Sequence, residues 1–328
     1  MADAAHAPDP RDLDPQVLGL LAEAAQRGAL PADPLTASLA EVREAAERFH
    51  AFLNAGPGPA LTIADQVVPG PDGPLNLRIF RPSEEAVLPA ILYFHGGGFV
   101  LNSVRTHDRL LRQIAIGSGA VVVALDYVKA PEHRFPRQHD DALAAMAWLA
   151  REGRSLGIDP DRIAVGGDSA GANLALATAL ACRGGDLPRP VAGLLLYGMF
   201  ARDFDTPSHG AFGSGAYGLS TARMRWYWDQ LLGPAAADPR AEPLWADHTG
   251  LPPMLLVGAG RDCLLDDTLR LAARLLAAGV RHDLRIWPRL PHGFATMTRF
   301  VGAAAAAITE AAAELRRHLD PTAGLTGW

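Results

Sequence analysis

The spacing of hydrophobic positions changes twice along the chain. Residues 15–26 and 36–53 place apolar side chains three or four apart, which is typical of amphipathic helices. Residues 61–68 and 75–81 instead alternate apolar and polar positions around the turn-dense Pro69-Gly-Pro-Asp-Gly-Pro74, which predicts two strands joined as a hairpin. Beyond the hairpin, short continuous apolar runs alternate with longer helical patterns. The chain therefore begins with helices and continues into a strand–helix domain.

After the hairpin, in the part of the chain where strands alternate with helices, the predicted strands are short apolar runs. They are Ala90–Phe94, Ala120–Asp126, Arg162–Gly166, Ala192–Tyr197, Met254–Gly258 and Asp283–Trp287. The helices between and after them are His107–Ser118, Gln138–Arg154, Ala170–Arg183, Asp266–Ala278 and Val301–His318. Apolar strands linked by helical crossovers form parallel sheets that are covered on both faces. With the hairpin, we expect an α/β fold with an eight-stranded, mostly parallel sheet and helices on both faces.

One connection is rich in aromatic residues. It runs from Asp203 to Leu232, between the strands that end at Tyr197 and begin at Met254. Its rings belong to Phe204, Phe212, Tyr217, Trp226, Tyr227 and Trp228. The adjacent aromatic residues of a helix cannot all face one core. We therefore interpret four residues of this connection as candidate walls of a substrate pocket, with packing onto the sheet as the alternative: Phe212, Tyr217, Trp226 and Trp228.

Composition excludes several classes of function. A net charge of -6 and a pI near 6.0 argue against a nucleic-acid-binding protein, which would carry a basic face. No apolar run is long enough for a membrane span, and the first ten residues lack a signal-peptide pattern, so we expect a cytoplasmic protein. The two cysteines, Cys182 and Cys263, indicate no disulfide framework. Lys129 is the only lysine, and no phosphate-binding G-x-x-x-x-G-K-[ST] loop is present.

The predicted strand at residues 162–166 runs directly into a helix through Gly167-Asp-Ser-Ala-Gly171, a match to G-x-S-x-G. Such a reversal places the serine at a strained apex, with its hydroxyl exposed above the sheet. The flanking glycines are required because a Cβ atom there would clash with the neighbouring strand and helix. We predict that Ser169 is a nucleophile.

Three consecutive glycines follow the first strand of the alternating part, in His95-Gly-Gly-Gly98. Glycine runs of this kind occur where the backbone must approach another group closely. A phosphate site would need a helix N-terminus and basic residues at once, and neither follows. Converging N–H groups suit an oxyanion. We predict an oxyanion hole formed by the N–H groups of Gly97, Gly98 and Ala170, with His95 as a structural anchor of the loop.

A serine nucleophile needs a base and an acid that orients the base. Of the eleven histidines, His292 follows the last predicted strand at the carboxyl edge of the sheet, whereas His282 precedes that strand and points to the opposite edge. Asp262 follows the preceding strand at the same edge, so it is the candidate acid. Asp266 and Asp267 fall at the start of the next helix, where acidic residues favour the helix dipole.

A metal site is the weakest of the alternatives. His133 and His139, with the neighbouring Asp140 and Asp141, match no helical or zinc spacing. We therefore expect neither a metal nor a cofactor.

The order Ser169, Asp262, His292 is the nucleophile–acid–histidine order of α/β-hydrolases. Over nearly its whole length the chain resembles the hormone-sensitive lipase family of bacterial esterases (family IV). The resemblance is carried by His95-Gly-Gly-Gly98, Asp126-Tyr127, Ala130-Pro-Glu-His-Arg-Phe-Pro136, Gly166-Gly-Asp-Ser-Ala-Gly-Ala-Asn173, Asp262 with Leu264 and Asp266, and His292-Gly-Phe294. Two departures are Val128-Lys129, where Arg-Leu is usual, and Cys263, where Pro is usual.

The resemblance implies an α/β-hydrolase catalytic domain over residues 56–328, with a helical cap made of residues 1–55 and an insertion at about 200–235. It also implies a serine carboxylesterase that hydrolyses short- to medium-chain acyl esters through an acyl-enzyme. Its binding partner would be the small-molecule ester substrate. A homodimer is left open. An amidase or acyl transferase on the same triad is the alternative among enzymes. The fold also serves as a small-molecule receptor, but such receptors lose the catalytic histidine, and His292 is present.

Overall fold

The computed structural model of the protein describes residues 9–233 and 238–320. Residues 1–8 and 234–235 of the two predicted cap segments therefore lie outside the described residues. The centre of the molecule is an eight-stranded sheet with the order β1-β2-β4-β3-β5-β6-β7-β8. Its strands are β1 Thr62–Gly70, β2 Gly73–Arg81, β3 Leu88–Phe94, β4 Val121–Asp126, β5 Ile158–Asp168, β6 Gly193–Leu196, β7 Met254–Arg261 and β8 His282–Pro291.

The strands from β3 to β8 run parallel, and the hairpin β1–β2 joins them antiparallel through β4. Every residue of β3 is buried, and alternate side chains enter two different cores: Leu92 packs on one face and Tyr93 on the other. A strand buried on both faces has no polar side, which is why its sequence is continuously apolar. The predicted α/β fold with eight mostly parallel strands is confirmed.

The described helices are α1 Pro15–Gln26, α2 Leu39–Asn54, α3 Asp108–Ser118, α4 Arg137–Glu152, α5 Ala170–Ala181, α6 Pro207–Phe212, α7 Thr221–Leu232, α8 Leu265–Ala277 and α9 Gly302–Leu319. Helix α2 begins three residues after its predicted start because Ser38 and Glu41 form a capping box. The Ser38 hydroxyl accepts from the Glu41 N–H at 3.3 Å, and the Glu41 carboxylate accepts from the Ser38 N–H at 2.8 Å. None of the described helices is long and apolar enough to cross a bilayer.

Helices cover both faces of the sheet. Buried residues of α4, α5, α7 and α8 share one hydrophobic cluster, and those of α1, α3 and α9 share the other. A third, smaller cluster joins Val42 and Ala46 of α2 to Val100 and Leu101, which follow β3. Residues of α7 pack against this third cluster, so the N-terminal helices and the insertion meet above the carboxyl edge of the sheet. The division into a cap and a catalytic domain stays a prediction.

Candidate active site

Ser169 lies between the end of β5 and the start of α5, with φ 55° and ψ −118°. A positive φ is strained for any residue other than glycine and is characteristic of functional sites. A Cβ atom on Gly167 would collide with the carbonyl of Gly171, and one on Gly171 would collide with the carbonyl of Phe94. The strand-to-helix reversal therefore depends on both glycines, as the sequence predicts.

The three residues predicted as a triad lie within hydrogen-bonding distance of one another. Nε2 of His292 is 2.9 Å from Oγ of Ser169, and Nδ1 is 2.7 Å from Oδ2 of Asp262. Asp262 is buried, and its other carboxylate oxygen accepts from the Leu264 N–H at 2.9 Å. Because an ionised carboxylate only accepts, Nδ1 of His292 carries the proton and Nε2 is free to accept from the serine hydroxyl. This is the arrangement in which a serine can be activated.

The predicted oxyanion-hole glycines lie beside Ser169. Gly97 (φ 124°) and Gly98 (φ 61°) both occupy the left-handed region, and both line the same cavity as the serine. Ala170 is the first residue of α5, where a backbone N–H has no acceptor within the helix. Among the described residues, none accepts a hydrogen bond from the N–H of Gly97, Gly98 or Ala170. Three donors next to the nucleophile are thus available to a ligand.

His95 holds the glycine loop rather than the reacting groups. Its buried ring stacks on Tyr127 with the centroids 4.3 Å apart, and Nδ1 lies 2.7 Å from the carbonyl oxygen of Gly96. The Tyr127 hydroxyl donates to the His95 carbonyl at 2.7 Å. Burial lowers the pKa of His95, so its neutral form is favoured. The structure therefore gives His95 the anchoring role that the sequence suggested.

A cavity of about 350 Å³ opens onto the triad. Ser169 and His292 lie in its wall together with the glycine loop. The rest of the wall is mostly apolar. Leu101 follows β3, and Tyr197 and Met199 follow β6. Many of the other large side chains come from the N-terminal segment, the insertion and the residues after β8: Leu21, Leu30, Val42, Phe49, Leu219, Met224, Tyr227 and Met297. An apolar enclosure beside a nucleophile and free N–H donors suits a small substrate with one polar reacting group.

The aromatic residues predicted as pocket walls are placed elsewhere. The lining of the cavity includes none of Phe212, Tyr217, Trp226 and Trp228. Trp228 is fully buried in the core under α7, and the Tyr217 hydroxyl bonds to the N-terminal segment, donating to Asp12 at 3.2 Å. The structure thus places these four side chains outside the cavity lining, with Trp228 turned toward the sheet by α7 and Tyr217 bonded to the N-terminal segment.

Tyr227 is the aromatic residue that sequence reasoning missed. Its ring packs directly over Gly98, where a Cβ atom would collide with it. Residues three apart share one face of a helix, so Met224 and Tyr227 line the cavity together. This spacing was the signal available in the sequence. Burial raises the pKa of Tyr227 to about 12, so its hydroxyl stays protonated.

Asp266 and Asp267 do more than favour the helix dipole. Oδ2 of Asp267 accepts from the backbone N–H groups of Phe200 at 2.6 Å and Ala201 at 3.1 Å. Burial raises the pKa of Asp267 to about 7, despite these two hydrogen bonds. Asp266 accepts from the N–H of Ser208 at 2.7 Å. Both aspartates thus fix the insertion to the start of α8, next to the loop that carries Asp262, in addition to their predicted place at the helix N-terminus.

The ring of His139, one of the residues weighed for a metal site, has aromatic neighbours. His139 packs against Phe99 and Phe135, with ring centroids 6.1 and 4.9 Å away, and burial lowers its pKa to about 4. Within residues 9–233 and 238–320, no three His, Cys, Asp or Glu side chains group together as metal ligands would.

Comparison with known proteins agrees with this geometry. A family model described as the alpha/beta hydrolase fold matches residues 91–296. Carboxylic ester hydrolase LipN of Mycobacterium tuberculosis is 37% identical over 301 residues, which cover 88% of this chain and 77% of that protein. Ethyl acetate hydrolase of Pseudomonas putida is 35% identical over 253 residues, which cover 75% of this chain and 79% of that protein.

Solved structures give the same result. EstE1, a thermophilic and thermostable carboxylesterase from a metagenomic library, superimposes with a TM-score of 0.85 at 38% identity, covering 88% of this chain and 99% of that one. A hyperthermophilic esterase from the archaeon Pyrobaculum calidifontis gives a TM-score of 0.86 at 35% identity, covering 93% of this chain and 98% of that one. With this fold and these relatives, the chain belongs to the α/β-hydrolase fold family, in the hormone-sensitive lipase (family IV) group of esterases.

Proposed function

We propose that this protein is a serine carboxylesterase that hydrolyses short- to medium-chain acyl esters with Ser169, His292 and Asp262 as its catalytic triad. The observation that carries the proposal is the continuous hydrogen-bonded path from the Ser169 hydroxyl through His292 to Asp262. Its relatives named as carboxylic ester hydrolases and carboxylesterases support the same reaction. The cytoplasmic location and the homodimer considered from the sequence stay predictions.

Acylation begins when Oγ of Ser169 attacks the ester carbonyl carbon while Nε2 of His292 accepts the hydroxyl proton. Asp262 keeps the imidazole in the reactive tautomer and stabilises the imidazolium that forms. The N–H groups of Gly97, Gly98 and Ala170 then donate to the oxygen on which negative charge develops. Collapse of the tetrahedral intermediate breaks the bond to the alkoxy oxygen, which takes the proton from His292 and leaves as the alcohol.

Deacylation uses the same groups with water as the nucleophile. His292 accepts a proton from water as the water oxygen attacks the acyl carbon, and the same N–H donors stabilise the second oxyanion. The intermediate then expels Oγ of Ser169, which recovers its proton from His292. The products are the carboxylic acid and free enzyme, and no cofactor enters either half-reaction.

The cavity supports a limit on substrate size. A volume of about 350 Å³ is near the lower end of ligand pockets. Each methylene buried against its apolar wall contributes about 0.8 kcal/mol, whereas a chain that overfills the space strains the wall. We therefore expect kcat/KM to rise from acetyl to about butyryl or hexanoyl esters and to fall beyond them.

The proposal is tested with purified protein on a series of p-nitrophenyl esters. Ser169→Ala should lower kcat by about 10⁶-fold while the protein stays folded, because the triad acts as a unit. Ser155→Ala, at an exposed serine outside the cavity, is the matched control and should keep wild-type activity. Absence of ester hydrolysis by the wild type, or a Ser169→Ala variant that retains it, would contradict the proposal. A matched anilide that is cleaved faster than its ester would identify an amidase instead.

A further inference from the structure

The proposed oxyanion loop, residues 96–98, is made of glycines and has no side chains that could hold it in place. Glycine backbone is permissive, yet an oxyanion hole is effective only if its donors are already aligned before the reaction. The far end of the loop is fixed by its own turn, since the N–H groups of Val100 and Leu101 donate to the Gly97 carbonyl at 3.0 and 2.9 Å. At the near end, the Gly96 carbonyl is held by Nδ1 of His95 at 2.7 Å and by the Asn102 side-chain amide, which donates at 3.3 Å, but the Gly96 N–H needs a separate support.

That support is the carboxylate of Asp168. The N–H of Gly96 donates to Oδ1 of Asp168 at 3.0 Å, and the carboxylate lies so close that a Cβ atom on Gly96 would collide with it. Asp168 is the last residue of β5 and directly precedes Ser169. One buried side chain therefore connects the oxyanion loop to the strand that presents the nucleophile.

Two further side chains orient this carboxylate. The Tyr93 hydroxyl donates to Oδ1 at 3.0 Å, and Nε2 of His107 lies 3.2 Å from Oδ1 and 3.3 Å from Oδ2. Nδ1 of His107 is in turn 2.9 Å from the Thr106 hydroxyl. A buried carboxylate needs partners of this kind to remain ionised. Burial acts to raise the pKa of Asp168, but the charge and hydrogen bond of His107, together with Tyr93, hold it below the ordinary value.

We propose that Asp168 is a positioning residue that acts through Gly96, with its carboxylate fixed by His107, to hold the N–H groups of Gly97 and Gly98 at the correct distance from Ser169. This inference rests on the proposed esterase function. Removing the Asp168 carboxylate should therefore reduce transition-state stabilisation and change substrate binding little. The reason is that the loop N–H groups bind the ester carbonyl oxygen most strongly when that oxygen carries negative charge.

The first test is Asp168→Asn, which keeps the shape of the side chain and removes its charge. We expect kcat for p-nitrophenyl butyrate to fall about 10²-fold, the cost of a small misplacement or of one lost oxyanion donor, with KM within about threefold. The Ki of an alkyl trifluoromethyl ketone, which forms a tetrahedral adduct with a serine, should rise by the factor by which kcat/KM falls. Loss of packing alone would not produce this proportionality.

A matched control is available at Asp141. This aspartate is also buried and also accepts from a backbone N–H, that of Val128 at 3.1 Å, but its carboxylate makes no contact with the glycine loop. Asp141→Asn makes the same substitution at a second buried aspartate. It should leave kcat and the Ki of the ketone within about twofold of wild type, since substitutions outside a site act mainly on stability.

If Asp168→Asn does not fold, two substitutions of His107 test the positioning role of the Asp168 carboxylate instead. His107→Gln retains an N–H donor at the distance of Nε2, whereas His107→Leu has none. We expect His107→Gln to keep kcat within about tenfold of wild type and His107→Leu to lose about 10²-fold, as Asp168→Asn does.

Three results would overturn the proposal. They are a kcat for Asp168→Asn within about twofold of wild type, a KM that rises while kcat holds, and equal activities of the two His107 variants. In each case hydrolysis by the wild type and its loss in Ser169→Ala would leave the esterase function standing. A wild type without esterase activity would contradict the proposed function itself.

Discussion

Asp262 and Asp266 lie only four residues apart, the first in the loop after β7 and the second in the first turn of α8, yet their carboxylates have different partners. Asp262 faces His292 at 2.7 Å, whereas Asp266 accepts from the backbone of Ser208 in the insertion. Asp262 therefore orients a ring that must accept and return a proton. Asp266 instead holds the backbone of the insertion in place. Residue type alone does not separate these roles, but position relative to the strand end does.

Substitution by asparagine distinguishes the two roles. Asp262→Asn should lower kcat by about 10⁴-fold, because an amide stabilises the wrong tautomer of His292. Asp266→Asn retains an oxygen that can accept from Ser208, so its loss should be within about tenfold. Steady-state kinetics of both variants on one ester measures the difference. The acid would be misassigned if Asp266→Asn proved the more damaging change.

At this scale the sequence predicts a residue when its role follows from a strand end or a fixed local motif. The strand ends predicted that Ser169, Asp262 and His292 would meet, and the structure places them within hydrogen-bonding distance along the path Ser169–His292–Asp262. The role of Asp267 was not predicted in this way, because its two hydrogen bonds depend on where Phe200 and Ala201 pass, and only the folded insertion determines that path. Asp168 was likewise read only as a variable position within G-x-S-x-G.

Among the elements, α7 shows how one helix can divide its side chains between a cavity and a core. Met224 and Tyr227 line the cavity, whereas Trp228 and Leu231 are fully buried against the sheet. The sides of α7 toward the cavity and toward the sheet are both apolar, whereas Arg225 and Asp229 are exposed. The sequence groups Tyr227 with Met224 by their spacing, but it does not indicate which ring of the Trp226–Trp228 triplet faces the cavity.

Removing the ring that faces the cavity should change chain-length preference. Tyr227→Ala opens space beside Gly98 and would let about two more methylenes be buried, worth about 1.6 kcal/mol. We expect kcat/KM for octanoyl relative to butyryl ester to rise about tenfold, measured as a ratio so that effects on the glycine loop cancel. Trp226→Ala, at a neighbouring ring outside the cavity lining, is the control. An unchanged ratio in Tyr227→Ala would show that this ring does not limit the acyl chain.

At the junction between β6 and the insertion, the backbone N–H groups of Phe200 and Ala201 both donate to one buried carboxylate, that of Asp267. Because its folded-state pKa, about 7, lies above the unfolded value, the folded protein binds more protons and this group favours folding at low pH. That contribution is lost as pH rises from about 4 through 7, with an upper limit of about 4 kcal/mol.

An amide side chain does not ionise, so Asp267→Asn should remove this dependence of stability on pH. Denaturant unfolding of wild type and variant across that pH range should show the variant gaining relative stability as pH rises. Asp266→Asn, whose carboxylate is less buried, is the control and should follow the wild-type profile. Parallel profiles for wild type and Asp267→Asn would mean that the carboxyl of Asp267 does not titrate in this window.

For the whole molecule, the fold was the most predictable feature. All eight strands and seven of the described helices were located from the hydrophobic pattern, because strands covered on both sheet faces read as apolar runs and the two hairpin strands alternate apolar and polar positions. The cavity was not predictable to the same degree. Its walls come from segments far apart in the chain, and their meeting depends on contacts such as the Arg223 side chain donating to Asp33 at 3.2 Å.

That division of the cavity has a consequence for how such an enzyme can diversify. Leu21, Val42 and Phe49 precede the first strand, while Leu219, Met224 and Tyr227 lie between the sixth strand and the seventh. The triad and the glycine loop belong to neither stretch. Because neither stretch carries a group that cleaves the bond, substitutions within these walls can change the range of substrates while the groups that cleave the bond stay the same.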